Sequence, residues 1–150
     1  LMALCTGPAG ALCDRVGSLR VRIAAGLVYA LAFAMIPFAA SNQAAMAVTM
    51  FAVGISAGAL FSSSLAIAAE SGGSTVALGS FRAAGDVGFF AGTTLSIVLA
   101  SAIGNEAAPG YADYASVIVL FAVAHAVSTV LIASTAVITA RRDARTHSAR

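Results

Sequence analysis

The chain has 150 residues, of which 60% are apolar and 9% charged, with a formal net charge of +2. A soluble domain of this length needs far more charge to cover its surface, so the composition speaks against a water-soluble enzyme or binding module. The small positive excess is no nucleic-acid footprint, because the basic residues flank apolar runs instead of forming one patch.

Residues 1–12 read as the end of an earlier helix. The chain opens at Leu1 inside an apolar stretch. It shows neither the basic start nor the cleavage site of a secretory signal, and the expectation is a chain truncated at its N-terminus. Residues 10–20 follow as a tight loop, with Gly10 and Gly17 permitting the turn and the pair Asp14-Arg15 between them. An aspartate there can face the positive end of a neighbouring helix. Arg15 and Arg20 can reach carboxylates or anionic lipid headgroups.

Crossing the hydrocarbon core takes roughly 20 apolar residues as a helix. Four runs qualify: 23–40, 44–69, 80–103 and 114–140. Pro37 lies near the far end of the first, where a kink is tolerable. The second carries no charge. The connections 41–43 and 105–113 are short, which makes antiparallel neighbours. Tyr111 and Tyr114 sit where interfacial aromatics are favoured. The reading is an all-α transmembrane chain of four helices plus a remnant of a fifth.

The chain holds eight arginines and no lysine. Arg15, Arg20 and Arg22 precede the first run, Arg82 lies between the second and third, and Arg141, Arg142, Arg145 and Arg150 follow the fourth. The other two connections contain no basic residue. Four crossings therefore place every arginine on one side, the positive-inside pattern, and predict a cytoplasmic C-terminus in an integral cell-membrane protein. Cys5 and Cys13 fall at or near that side and are expected to be reduced thiols.

In lipid there is little hydrophobic force between helices, so close backbone contact must hold them. Gly54 and Gly58 are four apart in the second run. Ala84, Gly88, Gly92, Ser96, Ala100 and Gly104 form a small-residue stripe in the third. The stripe predicts a helix pressed on a partner along its whole length, either as plain packing or as a surface where two bundles rock.

The string Gly10-x-x-x-Asp14-Arg15-x-Gly17 resembles the loop signature of the major facilitator superfamily. Ser18 and Leu19 replace the usual basic pair after it, and the charge arrives at Arg20 and Arg22. Arg82-x-x-x-Asp86-x-Gly88 resembles the start of the eleventh helix in drug-efflux members. Arg82 and Asp86 share a helix face and can pair, which also has a purely structural reading as a stabilised helix start. Gly79, Gly88 and Gly92 fit the antiporter signature of the fifth helix, but Thr93 stands where that signature has proline. The run 44–69 also lacks the embedded arginine usual in the fourth helix. The resemblance thus implies helices nine to twelve. Residues 1–150 would be a partial C-terminal six-helix bundle of a twelve-helix transporter, with a bacterial inner membrane as the expected location.

What the resemblance implies is secondary transport of small molecules by alternating access, with proton-coupled efflux as the subclass. Asp14, Arg15, Arg82 and Asp86 would latch the two halves and not touch substrate. The implied partners are the lipid bilayer, the missing N-terminal half and a small-molecule substrate. No enzyme activity, cofactor, metal site or nucleic-acid partner is expected. A non-transporting four-helix scaffold or regulatory protein is the alternative, and a small oligomeric four-helix pump a third. Such a pump needs an acid within a helix, for which Asp86 is the near candidate. His125, mid-run, reads as a proton relay or as an interhelical hydrogen-bonding group. Ser62, Ser63 and Ser64 are expected to bond along or between helices, and Glu70 to be an interfacial acid. Glu106, Asp113 and His147 carry no predicted role.

Overall fold

The computed structural model describes residues 2–70, 75–104 and 111–148. Side chains of residues 2, 3, 77, 89, 111, 112 and 136–148 lie outside that description, as do Glu106, His147 and the arginines after the fourth run. Five helices follow one another: α1 (Met2–Val16), α2 (Ser18–Ala39), α3 (Gln43–Glu70), α4 (Thr75–Gly104) and α5 (Tyr111–Ser148). No strand occurs among the described residues. Four helices contain segments long and apolar enough to cross a membrane: Ser18–Ala39, Gln43–Glu70, Leu78–Ile103 and Asp113–Thr135. At about 1.5 Å per residue, each exceeds the roughly 30 Å hydrocarbon thickness.

The expected loop at residues 10–20 is corrected. Helix α1 runs on to Val16, so Gly10, Asp14 and Arg15 are helical, and α2 starts at Ser18. A single residue separates the two helices. Gly17 takes φ +97°, which L side chains rarely adopt. Its N–H still donates to the Cys13 carbonyl (2.8 Å), and its own carbonyl accepts from Val21 N–H (3.2 Å). The break thus costs little backbone hydrogen bonding, which is why a one-residue hinge suffices in an apolar setting. The opposite turn is closed differently. The Asn42 side-chain oxygen accepts from the N–H groups of Ala44 (3.0 Å) and Ala45 (3.1 Å), capping the start of α3. Pro37 is accommodated within α2, which ends two residues later.

Helix α2 is the hub. It packs most extensively on α3 and then on α5, while α1 packs on α3. The interior is made of small residues: Ala9, Ser18, Ala25, Gly26, Ala30, Ser56, Gly58, Ser63 and Ala100 are buried. Large apolar side chains point outward, among them Phe38 (71% exposed), Val48 (71%) and Phe90 (75%). A soluble bundle has the reverse arrangement; this one suits an apolar solvent.

The α4 stripe does not press on a partner along its length, contrary to expectation. Ala84 and Gly88 are exposed, Gly92 and Ser96 are half-buried, and only Ala100 is buried among the described members. An added Cβ at Gly88 or Gly92 meets nothing within 4 Å. Helix α4 touches α3 and α5 sparsely, because its small face borders open space. Gly58 is buried and Gly54 half-buried in α3.

The tight crossing lies elsewhere, between α2 and α5. A Cβ added at Gly26 would stand 2.6 Å from Thr129 Oγ1 and 2.8 Å from its Cγ2. Thr129 is buried and donates its hydroxyl to the His125 carbonyl at 2.9 Å, so it has little room to move. Gly26→Ala is expected to destabilise the fold by about 1–3 kcal/mol. Adding Thr129→Ala should recover part of that loss, since it removes both closest atoms. Reversible unfolding of the purified protein in mixed micelles, run on the two single variants and the double, measures the coupling.

Candidate functional site

Polar side chains gather where α1, α2 and α3 come together near Gly17. Ser18 Oγ donates to Glu70 Oε1 at 2.6 Å, joining the start of α2 to the end of α3. One turn further along α2, the Arg22 guanidinium donates to Ser64 Oγ. The Ser64 hydroxyl in turn donates to the Leu60 carbonyl at 2.6 Å. Ser62 Oγ donates to the Thr6 carbonyl of α1 at 3.1 Å, and Ser63 Oγ to the Ala59 carbonyl of its own helix at 2.7 Å. The serine triplet therefore bonds both along and between helices. The i−4 bonds satisfy hydroxyls that otherwise lack partners in an apolar surround.

Deeper along α2 the character becomes aromatic. Tyr29 stacks on Phe33 (centroids 5.6 Å apart, interplanar angle 13°) and meets the His125 ring of α5 at 5.0 Å and 58°. The separations are those of favourable ring pairs. His125 Nε2 is buried and has no hydrogen-bond partner. Tyr29 and His125 border two clefts. One, of about 370 Å³, lies between α2, α4 and α5. The other, of about 350 Å³, reaches Arg22 and Ser64 between α2, α3 and α5. A third groove of about 580 Å³ runs between α1 and α3, bordered by Gly10 and Ser62.

The residues singled out from the sequence do not form one cluster. Asp14, Arg15 and Arg20 are exposed at the α1–α2 junction, and Gly10 is half-buried. Arg82 and Asp86 are exposed within the first half of α4, which begins at Thr75. Among the described residues no ion pair joins Arg82 to Asp86, and α1 makes no contact with α4. No group of three His, Cys, Asp or Glu side chains is arranged to hold a metal ion among the described residues. Sequence reasoning anticipated bonding by the serine triplet but missed the pairing of Arg22 with Ser64, the Ser18–Glu70 bond and the place of Tyr29 beside His125. The available signal was Gly17: a break there starts α2 at Ser18 and carries Arg22 inside the helix.

No family model, curated protein or solved structure matches this chain.

The two cysteines are free thiols in different surroundings. Cys5 is half-buried, whereas Cys13 is 4% exposed. Burial, with the nearby negative charges of Asp14 and Glu70, pushes the Cys13 thiol above its ordinary value. A raised value means less thiolate at any given pH, so near neutral pH Cys13 should react with maleimide more slowly than Cys5. Its rate should still be climbing above pH 9. Mass-spectrometric labelling of Cys5→Ser and Cys13→Ser variants across pH separates the two.

Proposed function

We propose that this chain is part of a secondary transporter of the major facilitator type, working by alternating access with proton-coupled efflux as its reaction class. The observation that carries the reading is the string Gly10-x-x-x-Asp14-Arg15-x-Gly17 placed at a helix–helix hinge. Its last glycine adopts the positive φ that turns α1 into α2. Asp14 and Arg15 stand exposed on the last turn of α1, free of the bundle's interior.

The charge distribution supports the same reading. The Ser18–Glu70 bond ties the start of α2 to the end of α3, so Arg15, Arg20, Arg22 and Arg82 belong to one end of an antiparallel bundle. On the positive-inside principle that end is cytoplasmic. Exposed side chains at one end suit a latch that engages a second bundle, the N-terminal half, when the transporter closes on that side. Arg82 and Asp86, unpaired with each other and exposed, are available for the same work. In this view Asp14, Arg15, Arg82 and Asp86 act on the equilibrium between conformations and leave the substrate to other residues.

A specific observation favours the rival reading of a membrane scaffold or regulatory protein. Among the described residues Asp14, Glu70 and Asp113 lie near helix ends, and Asp86, well inside α4, is exposed, so none of these acids is buried mid-helix to carry protons. On the transport reading that group belongs to the other half.

Asp14→Asn in the full-length protein is expected to slow turnover about tenfold while equilibrium binding stays within about twofold, the pattern of a residue acting on a conformational step. Everted vesicles with an imposed proton gradient, and as probe the fluorescent dye that the wild type moves among cationic, neutral and anionic ones, measure the first, and fluorescence of the same dye without a gradient the second. Normal turnover by a normally expressed variant would reject the latch. Absence of gradient-driven movement for the wild type across cationic, neutral and anionic dyes would favour the scaffold.

A further inference from the structure

Tyr29 and His125 stand in the walls of two clefts at once, and the clefts differ in chemistry. The one between α2, α4 and α5 is walled by Phe33 and Phe121 and rimmed by the hydroxyls of Thr93 and Ser96. The other ends at the Arg22 guanidinium and the Ser64 hydroxyl. One side is aromatic and the other cationic.

Arg22 is half-buried, and its bonded partner is a neutral hydroxyl. Among the described residues it meets no carboxylate. A partly desolvated cation without a counter-charge is unfavourable, and an anion placed beside it relieves the cost. His125 Nε2 is a second open position, buried without a partner in the wall common to both clefts. Buried polar atoms are ordinarily satisfied, so an orphan beside a cleft marks where a ligand atom can bond. The α4 wall supplies the room. Gly88 and Gly92 leave open space where any larger residue would intrude, and among the described residues no helix fills it.

We infer that the two clefts form one binding site for a small aromatic carboxylate. The acid group lies at Arg22 and Ser64, and the rings lie between Tyr29, Phe33 and Phe121. The planar guanidinium matches a carboxylate in shape as well as charge. The Tyr29–Phe33 stack offers an aromatic face for a ring. Arg22 and Tyr29 are seven residues apart on α2, about 10 Å along its axis. The acid therefore stands off from the ring system on a short flexible chain. Cationic amphiphiles are disfavoured by the same guanidinium. As a substrate site this rests on the transport reading; as a binding site it does not.

The test uses the purified chain in phosphatidylcholine nanodiscs. Naphthalenebutyric acid is the probe, its uncharged primary amide the control, and naphthalene fluorescence the readout. The acid is expected to bind roughly tenfold or more tightly than the amide, the scale of one charge-assisted contact. Arg22→Gln should remove that difference by weakening the acid alone. Gly92→Leu fills the aromatic cleft from a position with free space and should weaken both compounds. Circular dichroism checks each variant for folding, and Ser64→Ala with Gly92→Leu carries the test where Arg22→Gln does not fold. Equal affinity for acid and amide, or binding indifferent to Gly92→Leu, would overturn the inference. So would loss of binding on adding phosphatidylglycerol, which would give the Arg22 end to a lipid phosphate. Binding of the acid by this chain, with no gradient-driven movement of it by the full-length protein in vesicles, would keep the site and reject its use as a transport site.

Discussion

Close approach of small residues is the constraint on which the whole bundle depends. Helices in lipid gain nothing from hiding leucine or phenylalanine from each other, because the solvent is as apolar as the side chains. Contact must then come from backbones brought near enough for dispersion to accumulate over many atoms. Among the described residues no phenylalanine or leucine is buried, and the buried positions are mostly alanine, glycine and serine, with Val21 and Val117 the larger exceptions. A tight point is Gly26 under Thr129, where even one methyl group has no room.

The same solvent dictates how polar groups are handled. Hydroxyls of Ser56, Ser63, Ser64 and Thr129 bond to carbonyls one turn back in their own helices. Ser18, Ser62 and Arg22 bond across helices near the charged end, where water and headgroups can also help. Farther from that end His125 breaks the pattern, with one ring nitrogen buried and unbonded. The departure coincides with the clefts bordered by Tyr29. A polar atom left open inside an otherwise satisfied bundle is a site where function and packing compete.

Legibility in the sequence followed the range of the interaction concerned. The four apolar runs were readable because bilayer thickness sets a length that composition alone can meet. Their bounds were less so: α2 begins at Ser18 and α4 at Thr75, outside the most apolar stretch of each. The glycine at the α1–α2 turn was readable as a turn former. That it would serve as the entire loop was not, since this depends on Val16 staying helical and Val21 bonding back to the Gly17 carbonyl. The α4 stripe met no partner along its whole length among this chain's described helices, for a related reason. Small residues permit close packing, but whether a partner arrives depends on where the other helices go. Gly26, with Ala30 four residues on, became a close contact instead.

The sequence by itself determined that this is an all-helical chain with four helices long and apolar enough for a membrane. Hydropathy and helix length are properties of consecutive residues, so no fold is needed to read them. Only the tertiary structure decided that Arg22 meets Ser64, that Tyr29 meets His125, and that α4 borders open space. Those pairs lie 42 and 96 residues apart in the chain. Their meeting is set by how five helices cross, and the crossings are set by which small residues face each other. That information is spread over all the helices and held by none of them singly.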